Sequence, residues 1–163
     1  MQSKRILHLT VASLFTALAL ILSYIEVILP LSVPIPGVKL GLANLAPLLL
    51  LYSLGVRYAA SVALLRILLA GLLFGSPFTL LYSLAGGILA LLGMILSRRL
   101  GAPVIAASLV GAALHNVGQI TVACLVTQTP RLLAYLPFLL AAALVTGSLI
   151  GIAGRALLKY VPK

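Results

Sequence analysis

Ile6–Leu29 reads ILHLTVASLFTALALILSYIEVIL, and Glu26 is its only charged residue. At ~1.5 Å per residue such a helix rises ~36 Å, enough to cross the ~30 Å hydrocarbon core of a bilayer. Lys4 and Arg5 make a basic start, and Ala17-Leu18-Ala19 imitates a signal-peptide cleavage site. The apolar run continues well past that point, so the expectation is a retained first membrane helix.

The rest of the chain has the same character. Of its 163 residues 63% are hydrophobic and the mean hydropathy is +1.30. A soluble domain of this length has too little interior to hide so much apolar surface. Stop and start signals divide the chain into six expected helices: 6–29, 39–54, 57–74, 77–98, 103–127 and 131–158. The fold class is an all-α polytopic membrane protein forming a single domain over 1–163. Pro30–Val38 is proline-rich and cannot be helical throughout. Pro47 predicts a kink in the second helix. Gly75-Ser76-Pro77 supplies a stop, an N-cap and a proline at the first helical position. Gly101 with Pro103 repeats the signal, and Thr129-Pro130 is expected to cap the sixth helix. The second and third helices are short for full spans, so a four- or five-span arrangement is the alternative.

Charge tests the six-span arrangement. One side of the membrane receives Lys4, Arg5, Arg57, Arg98, Arg99, Arg155, Lys159 and Lys163, and the other only Lys39 and Arg131. This asymmetry fits both termini on the cytoplasmic side. Tyr52, Tyr58 and Tyr160 fall near the basic ends, and Tyr24, Tyr82 and Tyr135 near the opposite ends, as an interfacial belt requires. The formal charge of +10 is distributed between apolar runs. It forms no solvated patch, so no nucleic-acid partner is expected.

Acidic residues are almost absent: Glu26 is alone, against eleven Lys and Arg. Hydrolases, metal-dependent transferases and NTPases use carboxylates as bases or Mg²⁺ ligands. The expectation is therefore no enzyme, no cofactor and no metal site. Cys124, the single cysteine, forms no internal disulfide.

Polar side chains inside an apolar bundle are functional candidates. Arg66 lies near mid-membrane, where its insertion costs ~2.5–3.5 kcal/mol. Counting along the helices places Glu26 too far up the first helix to reach it, and nearer to Lys39. Arg66 then either bonds backbone carbonyls or binds an anionic ligand. His115 and Gln119 are one helical turn apart, with Asn116 beside them. They either line a polar cavity or hold helices together by hydrogen bonds. Pro34–Asn44 opens a short helix whose free N–H groups suit an anion. Gly37 and Gly41 permit close backbone approach there; the plainer reading is a turn with Lys39 at the headgroups. Ser13 and Ala17 and, offset, Ala19 and Ser23 give small-xxx-small spacing on the first helix, for internal packing or for docking a partner.

The six-span plan, the proline-rich loop and Gly37-Val38-Lys39-Leu40-Gly41-Leu42-Ala43-Asn44 resemble a bacterial membrane family, over about 8–155. It is described either as the Gx transporter family or as heptaprenyl diphosphate synthase component I. That family is in turn similar to the substrate-binding S components of energy-coupling-factor (ECF) importers. The resemblance implies a six-helix bundle in the cytoplasmic membrane that holds a small molecule beneath the loop joining helices 1 and 2. It implies docking through helix 1 to a coupling transmembrane subunit, with ATP bound by two cytoplasmic ATPases and not by this chain. Lys39 and Arg66 would supply positive charge, and Gly37, Glu26, Asn44, His115, Asn116 and Gln119 would complete the site. The alternative is a non-catalytic accessory component of heptaprenyl diphosphate synthesis. The usual aspartate-rich Mg²⁺–diphosphate motifs have no counterpart in a chain without aspartate.

Overall fold

A computed structural model describes residues 2–28 and 41–162, with side chains from Lys4 onward. Six α-helices account for the architecture: α1 Gln2–Ile28, α2 Leu45–Ser53, α3 Val56–Phe74, α4 Pro77–Arg99, α5 Val104–Thr127 and α6 Leu136–Leu157. A 3₁₀ turn, Leu42–Asn44, leads into α2, and another, Pro130–Tyr135, leads into α6. Five of the helices are long and apolar enough to cross a membrane; the segment Leu42–Ser53 is shorter. The chain is a multi-pass helical membrane protein.

α2 differs most from expectation. Its nine residues rise only ~14 Å. It begins inside the bundle, about halfway along the neighbouring α3. Ala46 to Leu51 are buried on every side, as a helix apolar all round requires. Gly41, at φ 74°, turns the chain into this segment, in a conformation that glycine adopts without strain. Pro47 makes no kink. The helix starts at Leu45, so Pro47 stands in the first turn, where its missing N–H has no intrahelical acceptor to lose.

The expected start of helix 6 also changes. Thr129 caps nothing; its hydroxyl donates to the Thr127 carbonyl at 2.9 Å. Pro137 cannot donate an α-helical bond back to Leu133. The Leu133 carbonyl instead takes the Leu136 N–H in a 3₁₀ bond, and the α-helix begins only there. Between α3 and α4 the expected punctuation is present: Ser76 accepts the Thr79 N–H at 3.2 Å, with Pro77 opening the helix.

Lipid tails supply no hydrophobic force between helices, so close backbone approach carries the packing. A Cβ on Gly118 of α5 would stand 2.8 Å from the Ala85 carbonyl oxygen and from the Gly86 Cα of α4. A Cβ on Gly151 of α6 would stand 2.7 Å from the Ile105 Cα of α5. α4, α5 and α6 thus form one tightly joined wall. α1 lies on the other side and packs against α3. His8 meets Tyr58 with ring centroids 5.5 Å apart, and Tyr24 meets Phe74 at 5.0 Å. The sequence offset is the same in both pairs (58 − 8 = 74 − 24 = 50), so α1 and α3 run parallel and in register. At the end rich in Arg and Lys, the Tyr52 hydroxyl donates to the Ala102 carbonyl at 2.8 Å, tying α2 to the α4–α5 connection.

A charged cavity at the start of the short helix

The register of α1 and α3 fixes depth. Arg66 is level with Thr16, so the Glu26 Cα stands ten residues, ~15 Å, nearer the end opposite the basic one. Counting along the helices kept these two residues out of reach of each other, and the start of the short helix stands between them. Glu26 Oε1 accepts the Leu42 N–H at 2.7 Å. Two residues on, Asn44 Oδ1 accepts from Arg66 Nη2, also at 2.7 Å. Both charged residues line one cavity and interact electrostatically.

The bond from Leu42 bears on a second expectation, that the segment Pro34–Asn44 offers free N–H groups to an anion; of that segment, 34–40 lie outside the described residues. Leu42 donates to Glu26, and the Asn44 N–H donates to the Gly41 carbonyl at 2.9 Å. The anion that this helix start holds is the protein's own carboxylate, which suits the dipole there.

Arg66 is only 8% exposed, and its Nε has no hydrogen-bond partner among the described residues. A buried N–H of this kind is expensive in a low-dielectric interior. The side chain faces a cavity of about 100 Å³. On the opposite wall stand His115 and Asn116. Asn116 Nδ2 donates to the Leu139 carbonyl at 2.7 Å, so it also joins α5 to α6. Gln119 does not line the cavity; its Cγ lies 2.8 Å from where a Gly86 Cβ would be, packed into the α4–α5 contact. Gly37 and Lys39, and the loop 30–38, lie outside the described residues.

Ser23, marked in the sequence only for small-residue spacing, lines the cavity three positions before Glu26 on the same face of α1. Other lining residues were not singled out from the sequence. Ala90, Gly111 and Ala112 carry no such signal, because small residues in membrane helices serve packing far more often than ligand space. Ser13 and Ala17 are exposed on α1, and the Ser13 hydroxyl donates to the Leu9 carbonyl of its own helix at 3.0 Å.

The fold and site define a class: a polytopic helical membrane protein with a charged cavity built around the start of a short helix. Irregular backbone at membrane depth is tolerated where it lines a cavity. A family model described as heptaprenyl diphosphate synthase component I matches residues 15–157, and the chain belongs to that family. No curated protein and no solved structure matches the chain.

Proposed function

We propose that the chain is a membrane-embedded binding component that captures a small anionic molecule in the Arg66 cavity, in the manner of an ECF S component. The observation that carries this reading is Arg66 itself. Its guanidinium is held in place by Asn44, faces the cavity and retains an unused donor. An oxyanion with matching acceptors satisfies that donor. Glu26, Phe74, Gly75 and Thr79 line the cavity toward the end opposite the basic one. With the basic end cytoplasmic, the ligand enters from outside.

Transport energy then comes from partners, a coupling transmembrane subunit and two cytoplasmic ATPases. Chemistry within this chain is disfavoured on its own residues. Glu26 is the only carboxylate side chain, and one of its oxygens is occupied by Leu42. The exposed face of α1 that carries Ser13 and Ala17 is the proposed docking surface.

The family's description favours a second reading, a non-catalytic membrane accessory component of heptaprenyl diphosphate synthesis. One preparation separates the two. The tagged chain is purified from its native membrane, and its bound small molecules and proteins are identified by mass spectrometry. A near-stoichiometric small anion with a coupling subunit supports the importer. A soluble prenyl synthase supports the accessory reading. A folded, monodisperse preparation with no small molecule contradicts the binding function. Ala17→Leu should retain the small molecule and lose the coupling subunit; retention of both removes α1 as the docking face.

A further inference from the structure

The cavity is a slot rather than a bowl. Along α4 it is lined by Thr79, Ser83, Ala90 and Met94, and the fifteen steps from first to last rise ~22 Å. Ile67 packs on Gly87, so Arg66 stands about six residues, ~9 Å, above Met94. A Cβ on Gly86 would lie 2.8 Å from the His115 carbonyl oxygen, which puts His115 near the same level. Arg66, Asn44, His115 and Asn116 therefore form a belt partway down, with Glu26 nearer the opposite end. Below that belt the lining changes. It consists mainly of Leu48, Ala90, Met94, Gly111, Gly147 and Ile150; the hydroxyls there are Ser108 and Thr146, and that of Thr146 donates to the Ala142 carbonyl of its own helix at 3.1 Å. Met94, whose Cγ is 2.8 Å from a Gly111 Cβ position, is the α4 lining residue nearest the basic end, and Ser108 and Ile150 line the cavity beyond it.

A hydrophilic solute would leave this lower section unused, and a plain hydrocarbon would leave Arg66 Nε unsatisfied. Resting on the reading of Arg66 as the anion-binding group, we infer that the ligand is an amphiphile. A compact oxyanion head sits at Arg66 and Asn44, and an apolar tail points toward the basic end of the bundle. Alanine and glycine form the tail's wall because their short side chains leave the space open, while Leu48, Met94 and Ile150 set its depth.

Titration of the whole protein in phosphatidylcholine nanodiscs with inorganic phosphate and with methyl, propyl and pentyl phosphate tests this. Affinity is read against free aqueous concentration. The expected result is a rise of about three- to fourfold per added methylene, abolished in Arg66→Gln. Ala90→Val should flatten the rise. A flat series that still depends on Arg66 overturns the amphiphile and keeps the anion site. A rising series indifferent to Arg66→Gln also overturns it, since the tail then partitions without a head site. Absence of binding by every probe overturns both this inference and the reading beneath it.

Discussion

Arg66 and Glu26 carry opposite charges into the same cavity, so its described lining is electrically balanced before any ligand arrives. An incoming anion gains the Arg66 donors but meets the Glu26 carboxylate. The two effects can be separated by Glu26→Gln. Glutamine keeps an oxygen for the Leu42 N–H and removes the negative charge. Coulomb's law at an effective dielectric of ~20 assigns ~1–2 kcal/mol to a unit charge ~8–16 Å away. Glu26→Gln should therefore tighten binding of the co-purified anion by roughly that amount, measured by calorimetry. Weaker binding would mean that Glu26 itself contacts the ligand, through a group that donates to it.

Among the elements, α5 depends on its neighbours most. Gly118 faces the backbone of Ala85 and Gly86, which cannot step aside as a side-chain tip can. Gly118→Val should lower stability by about 1–3 kcal/mol, the range for overpacking a close-fitted contact. Thermal unfolding in detergent measures it, and an unchanged midpoint would contradict the α4–α5 contact. How far the elements were legible depends on what fixes them. Ser76 and Pro77 act within one turn, so the start of α4 could be read directly. The start of α6 turned on Pro137 withholding a hydrogen bond from Leu133, a tertiary-independent effect that the stronger Thr129-Pro130 signal obscured. The depth of α2 could not be read at all. Leu48 to Leu51 look the same in a full span and in a half-length helix, because the bilayer's position is not written in the residues. The Arg66–Asn44 bond joins residues twenty-two apart, and its existence follows from that unread depth.

For the whole molecule, one carboxylate among eleven cations and 63% hydrophobic residues were enough to assign the class. The site was legible as a set of candidates, not as an arrangement. Asn44, Arg66, Glu26, His115 and Asn116 meet around the cavity, whereas Gln119 belongs to helix packing. Sidedness follows from the charge asymmetry and predicts that single cysteines placed in 30–37, in a Cys124→Ser background, label from outside intact cells. Labelling only from the cytoplasmic side would reverse the bundle. The central claim is that Arg66 holds the ligand, and the most direct measurement compares affinity for the co-purified anion in the native chain and in Arg66→Ala. The account predicts a loss of ~1.5–3 kcal/mol, typical of a hydrogen bond to a charged group, in a protein that remains folded and monodisperse. Unchanged affinity in such a protein would contradict it and leave Arg66 as a structural residue.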